Sequence, residues 1–226
     1  MNIRTPLIAS LCLIAAMLAI AGWAWDAVPP LARIPVHWGL NGQPNGFAPK
    51  AAGLLMLPAI ALGLTILFAV LPAIEPRRGN LMSSRKLYYA RWIGGLAVLT
   101  VAQFLIVSTA AGLHPDITRT VLFTVACLHL VLGNFLGKSR STFFLGLRLP
   151  WTLSSELAWE KSNRLMGRIF VATGFVTLAC LLFGRTFAAM AVFGIGTALG
   201  VIAGGIASYV YWKRDDNRIT GDSVHE

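Results

Sequence analysis

Residues 133–168 read GNFLGKSRSTFFLGLRLPWTLSSELAWEKSNRLMGR. This stretch lies between two apolar runs and holds six of the nineteen basic residues: Lys138, Arg140, Arg148, Lys161, Arg164 and Arg168. On either side the chain turns so apolar that the loop reads as the polar exception in a membrane scaffold. The 226 residues are 56% hydrophobic and only 12% charged, where a soluble domain is closer to about 25% charged. Crossing a hydrocarbon core of about 30 Å takes about 20 helical residues. The apolar runs predict an all-α polytopic membrane protein with six transmembrane helices. An N-terminal membrane half, residues 1–112, holds spans 6–25, 51–74 and 92–112. A second half, residues 113–212, holds spans 120–136, 166–183 and 187–212, followed by a disordered tail over 213–226.

The first run also has the charged start and apolar centre of a signal peptide, with Ala19-Ile20-Ala21 as a cleavage-like site. Its full length and its interfacial Trp23 and Trp25 favour an uncleaved span. Lys and Arg gather on the cytoplasmic side of membrane proteins. With the N-terminus inside, fifteen of the nineteen basic residues fall in inner segments; only Arg33, Lys50, Arg119 and Arg185 fall outside. The expected topology is therefore N-in and C-in, with 137–168 cytoplasmic and the loop around His37 on the opposite side. The net charge of +10 then reflects this bias. No basic reading helix or strand is present, so direct nucleic-acid binding is not expected. Cys12, Cys127 and Cys180 all lie in apolar runs without a CxxC pair and read as small buried hydrophobes.

Within the inner loop, Pro150 pushes Leu149 out of the helical region. Ser154 or Ser155 can cap the helix that follows, and Glu156 suits its first turn. Glu160 and Arg164 make a favourable i,i+4 pair. Leu157, Leu165 and Ile169 form an apolar stripe, with Trp159, Met166 and Phe170 beside it. This predicts an interfacial amphipathic helix that feeds into the fifth span. Contact between its basic residues and anionic lipid is the plainest role such a helix can have.

On the other side, IPVHWGLNGQPNGF over 34–47 combines one imidazole, two asparagines and several forced turns. His37, Trp38, Asn41, Gly42, Asn45 and Gly46 are its candidate binding residues, although a compact turn-rich lid explains the same pattern. A metal site with His114 and Asp116 would need all three close together, which the spacing does not fix; no metal or other cofactor is expected. Gly196, Gly200 and Gly204, with Ser208, form a small-residue ridge for helix packing, either within the bundle or against a second copy. Gln103 and His129 are the polar residues deepest in the spans. A histidine bonded to a backbone carbonyl is the simplest reading of His129, and a permease path lined by both residues is the functional one. No span contains a carboxylate for a proton or sodium relay.

The residues also resemble a known family. Gly137-Lys138, Gly146-x-Arg148-x-Pro150-Trp151-Thr152-Leu153, Trp159 and Asn163-Arg164 with Gly167 are similar to the signature of the SdpI-type immunity proteins. Ile34-Pro35-x-His37-Trp38 with Gly42-x-Pro44-x-Gly46 is similar to the domain of unknown function in their N-terminal half. Thr142 and Leu149 depart from that pattern, where Asn and Thr are common. The resemblance implies a non-enzymatic protein of the bacterial cytoplasmic (inner) membrane that protects the cell from a membrane-active peptide toxin. It further implies, in some members, capture of a cognate transcriptional repressor at the membrane. On that reading the outer loop meets an extracytoplasmic peptide toxin. The inner residues Gly146, Arg148, Pro150, Trp151, Thr152, Trp159, Asn163 and Arg164 dock a soluble cytoplasmic repressor protein. A small-solute permease is the alternative; a hydrolase using His37 ranks last, since no second catalytic group accompanies it.

Overall fold

The structure is a computed structural model that describes residues 1–219. Its elements in chain order are α1 (Arg4–Ala27), a hairpin of β1 (Arg33–Trp38) and β2 (Pro44–Pro49), α2 (Lys50–Ile74), α3 (Arg78–Ser83), α4 (Arg85–Ala110), α5 (Ile117–Leu136), α6 (Pro150–Leu153), α7 (Glu156–Leu182) and α8 (Thr186–Lys213). α1, α2, α4, α5, α7 and α8 are each long and apolar enough to cross a membrane. The all-α polytopic class therefore holds, with a small β hairpin added to it.

Several helices begin before the apolar windows do. α4 starts at Arg85, where the predicted span starts at 92, and α7 runs unbroken from Glu156, where the sequence predicts an interfacial helix ahead of a span at 166. Hydropathy measures only what the hydrocarbon must cover, whereas Arg, Lys and Glu are good helix formers and extend the hydrogen-bond ladder beyond it. The N-caps mark the true starts. Asp116 Oδ1 accepts from the Arg119 amide at 3.0 Å ahead of α5, and Ser155 Oγ accepts from the Ala158 amide at 3.0 Å ahead of α7. Residues 156–168 thus form no separate helix lying in the interface. They are the first turns of α7, and no proline or glycine pair between Glu156 and Met166 breaks the ladder.

The hairpin also departs from the turn-rich loop expected for 34–47. β1 and β2 pair antiparallel, with Ile34 opposite Ala48 and His37 opposite Gly46. Irregular register on both sides of His37 follows from Pro35, which cannot donate to a ladder and confines the strand to an edge. Gly42, at φ +73°, closes the turn, its amide donating to the Gly39 carbonyl at 2.9 Å.

Packing divides the chain into two units. One comprises Asn2–Ala69 and Trp92–Thr124. The other comprises Val70–Arg91 and the described chain from Val125 to Ile219, with Met1. The sequence divides the halves at 112/113; the segment after α2 instead groups with the C-terminal residues, because its side chains hold the loop after α5, as described below.

The first unit is built on Ala21, Ala24, Val28, Ile34, Leu54, Ile106 and Val107. Ile34 carries the hairpin into this core and presses on Gly53, where a Cβ would stand 2.8 Å from the Ile34 Cβ. Pro58 has no amide hydrogen, so the Leu54 carbonyl one turn earlier in α2 loses its helical donor. The side chain of Gln103, fully buried, supplies the replacement: its Nε2 donates to the Leu54 oxygen at 2.8 Å. In a bilayer an unmet carbonyl has no water to turn to, so a neighbouring helix must meet it.

In the second unit α7 packs closely with both α5 and α8. A Cβ on Gly133 of α5 would stand 2.6 Å from the Gly167 carbonyl oxygen of α7, and one on Gly167 would stand 2.6 Å from the Gly133 oxygen. The backbones meet there with no room for a side chain. Along α8, Gly196 faces Thr173, Gly200 faces Phe170 and Gly204 faces Met166. The ridge at 196, 200 and 204 is therefore a packing face within the bundle.

The Pro58–Gln103 pairing yields a double-mutant prediction. Gln103→Leu is expected to lower stability by about 1 kcal/mol, measured by denaturation in detergent micelles. In a Pro58→Ala background, which returns an amide hydrogen to the Leu54 carbonyl, the same substitution should cost much less. Equal costs in the two backgrounds would contradict the assignment.

Candidate functional site

Between Leu136 and Glu156 the backbone is mostly irregular, yet Ser139, Ser141, Thr142, Thr152 and Ser155 are all buried. Buried backbone groups need partners, and the segment after α2 supplies many of them. The Glu75 carboxylate, only 1% exposed, accepts from the amides of Phe143 at 3.1 Å and Arg77 at 3.0 Å. The Arg77 guanidinium donates to Ser141 Oγ and, at 2.6 Å, to the Leu153 carbonyl, and it lies 5.2 Å over the Phe143 ring. Asn80 Nδ2 donates to the Ser141 carbonyl at 2.8 Å. Ser84 Oγ accepts from the Arg140 amide at 2.8 Å.

α7 holds the same loop from another side. Trp159 Nε1 donates to the Ser139 carbonyl at 3.1 Å. Asn163 Oδ1 accepts from the Leu147 amide at 2.8 Å, while its Nδ2 donates to the Trp159 carbonyl at 3.0 Å. Gly146 turns there with φ +73°. A Cβ at that position would stand 2.7 Å from both the Trp159 ring and Asn163 Oδ1, so only glycine fits. Thr152 Oγ1 accepts from the Leu149 amide at 2.8 Å and donates to the Leu147 carbonyl at 2.9 Å, which fixes the Pro150 turn. Trp151 Nε1 donates to Ser208 Oγ of α8, with the Trp151 ring edge-on to Tyr209 at 5.5 Å.

Gly146, Pro150, Trp151, Thr152, Trp159 and Asn163 therefore do converge, but as the internal frame of the loop. Trp159, Thr152 and Asn163 are each 0% exposed and cannot be the docking anchors that the sequence suggests. Of the residues the sequence singles out, Pro150 is exposed at its turn, and the charged side chains on the surface are Arg148, which donates to the Phe143 carbonyl at 2.8 Å, and Arg164, paired with Glu160 at 2.6 Å. Phe143 is also exposed. Glu75, Arg77, Asn80 and Ser84 were missed as part of this site. One signal was present: Glu75 is the sole acidic residue between Asp26 and Asp116, at the end of a span and among arginines.

The start of the tail is ordered too. Ser155 Oγ bonds Asp215 Oδ2, the Ile219 amide donates to the Ser154 carbonyl at 2.9 Å, and Trp212 Nε1 donates to Ser154 Oγ at 3.1 Å. The disorder expected for 213–226 does not extend to 213–219; residues 220–226 lie outside the described residues.

In the hairpin, His37 Nδ1 and Asn45 Oδ1 meet at 2.5 Å. Gly46 lets the strands close, since a Cβ there would stand 2.9 Å from the His37 Cβ. Asn41 Oδ1 accepts from the Gln43 amide at 3.1 Å, stabilising the turn that contains Gly42. Trp38 packs on the core of its unit, leaving His37 and Asn45 as the exposed polar pair. Leu31 and Leu40, 96% and 83% exposed, stand out on the same loop. Among the described residues His37, His114 and Asp116 form no metal-holding group.

The two intramembrane polar residues are also accounted for. His129 lies between Phe170 and Phe193, with centroids 4.6 Å and 4.5 Å away. Its nitrogens reach the Val125 carbonyl at 3.2 Å and Thr197 Oγ1 at 3.1 Å. With Gln103 bonded to the Leu54 carbonyl, each group has a partner within its own unit.

Removing one bond of the loop frame should loosen the whole segment. Trp159→Phe leaves the Ser139 carbonyl without its donor, an expected cost of about 1–3 kcal/mol. Limited trypsin digestion should then cut at Arg140 and Arg148 faster than in the wild type; unchanged digestion would show that the frame does not hold the loop.

Comparison with known proteins places both motifs. Residues 138–211 match the SdpI/YfhL protein family, covering the loop, α6, α7 and most of α8. Residues 12–62 match the domain of unknown function DUF1648, covering most of α1, the hairpin and the first half of α2. The chain is 24% identical to Immunity protein SdpI of Bacillus subtilis (strain 168) over 182 residues, 80% of this chain and 84% of that one. No solved structure matches. The chain is thus a multi-pass inner-membrane protein in which a segment that matches DUF1648 precedes one that matches the SdpI/YfhL family.

Proposed function

We propose that this chain is a non-enzymatic membrane immunity protein that protects its cell against a membrane-active peptide toxin. The observation that carries the reading is the similarity to Immunity protein SdpI across four-fifths of the chain, beside the separate family matches over the hairpin and the inner loop. The charge count favours the hairpin facing outward. There, exposed Leu31 and Leu40 beside the His37–Asn45 pair suit an amphipathic peptide, which offers apolar and polar groups at once. A short hairpin tied to a packed core keeps these side chains in place before the peptide arrives, which lowers the ordering cost of binding.

The inner loop acts as the signalling surface. Its frame is internal, so a cytoplasmic repressor would meet Arg148, Arg164 and Phe143. Arginine and aromatic side chains are the types that dominate interface energies. Partner specificity then rests on where the framed loop holds two guanidinium groups.

Deleting the gene in its host and challenging with membrane-active peptide toxins tests the first part. Survival should fall and be restored by the wild-type chain, while His37→Ala with Asn45→Ala should restore it poorly; equal killing with and without the gene would overturn the proposal. Arg148→Ala with Arg164→Ala should abolish repressor recruitment to membranes and leave protection intact. Undiminished recruitment in that variant would remove the docking role.

A further inference from the structure

Beside the inner loop, the close crossing of α5 and α7 leaves a groove of about 460 Å³. Gly137, Gly167 and Val171 line its apolar part, and Lys138, Arg164 and Arg168 stand around it. A smaller cleft of about 200 Å³ shares Gly137, Lys138 and Arg164 with the groove and adds Arg140, Glu156 and Glu160. The glycines explain the groove: two backbones in contact, with no side chains between them, leave a furrow along the line where they meet.

The charges around the groove are unevenly matched. Arg164 is paired with Glu160, and among the described residues Lys138 Nζ reaches only the neutral Asn134 Oδ1, at 3.3 Å. Arg168 is exposed and in no ion pair among the described residues. Four basic side chains, Lys138, Arg140, Arg164 and Arg168, face two carboxylates, Glu156 and Glu160. The excess is positive and sits at one end of an apolar furrow.

The depth fits as well. About 20 helical residues cover the roughly 30 Å hydrocarbon core, which on α7 takes the stretch from about Asn163 to its end at Leu182. Arg164 and Arg168 then lie within about two turns of the headgroup layer, where long cationic side chains reach phosphates. Val171 lies deeper, at the level of acyl chains.

We propose that this groove binds one phospholipid with an anionic headgroup, its phosphate held by Lys138 and Arg168 and an acyl chain lying over Gly167 and Val171. The lipid packs along the α5–α7 seam and against the base of the inner loop. Its presence would tie loop geometry to membrane composition.

The test uses the full chain in non-ionic detergent, titrated with phosphatidylglycerol or phosphatidylcholine and followed by native mass spectrometry. The wild type should retain phosphatidylglycerol in preference. Lys138→Gln with Arg168→Gln should weaken that retention by about tenfold or more, because each cation near a headgroup contributes comparably. Arg185→Gln, which removes an exposed cation outside the groove, should retain it fully. Lys138→Arg with Arg168→Lys keeps the charge and should keep the lipid, so misfolding of the neutral variant would not obscure the answer. Equal retention of the two lipids by the wild type would overturn the proposal. So would undiminished phosphatidylglycerol binding by the neutral variant, loss of binding in the charge-preserving one, or displacement of the lipid by inorganic phosphate at equal concentration.

Discussion

The Glu75 carboxylate, almost wholly buried, accepts the amides of Phe143 and Arg77, and the inner loop depends on that pair of bonds. Irregular backbone beside a bilayer cannot rely on water, and an unmet buried polar group costs on the order of 1–3 kcal/mol. Around Glu75 the same problem is solved repeatedly. Arg77 meets the Leu153 carbonyl, Asn80 meets that of Ser141, and Ser84 meets the Arg140 amide. Trp159 and Asn163 do likewise from α7. Asn80 lies in α3, Trp159 and Asn163 lie in α7, and Glu75, Arg77 and Ser84 flank helix ends, so the loop inherits the rigidity of the helices without being helical itself.

That construction changes what the loop can do. Residues that look like recognition anchors in sequence, an indole and a carboxamide next to arginines, are consumed by the frame, while Arg148, Arg164 and Phe143 stay on the surface. A framed loop presents few groups but presents them in one geometry, which favours a specific partner over a general basic surface. The hairpin follows the same logic on a smaller scale: Ile34 and Trp38 anchor it, and the exposed groups ride on that anchor.

Much of this was legible from residues alone, for definite reasons. Six spans follow from hydropathy, since the bilayer imposes a length and a composition. The glycine ridge of α8 was legible because close helix approach requires small residues at four-residue spacing. The start of α4 at Arg85 lies ahead of the apolar span because charged helix formers continue the ladder outside the hydrocarbon, whereas the Ser155 cap and the Glu156 first turn of α7 were legible. The hairpin was missed because Pro35 and the asparagine–glycine pairs signal turns more loudly than strands. The burial of Trp159 was invisible for another reason: what covers it comes from Ser139 and Gly146, and only tertiary structure brings them there. Pro58 and Gln103 each stood out in the sequence, but their link through the Leu54 carbonyl needs the register of two helices.

Amide hydrogen exchange on the wild-type chain in lipid nanodiscs tests the framed loop most directly. The amides of Arg140, Phe143, Leu147 and Leu149, each bonded to a side chain, should exchange far more slowly than an open loop, on the timescale of the neighbouring helix ends. Exchange of these amides as fast as in an unstructured peptide would contradict the frame, and with it the view that the inner loop is built before any partner arrives.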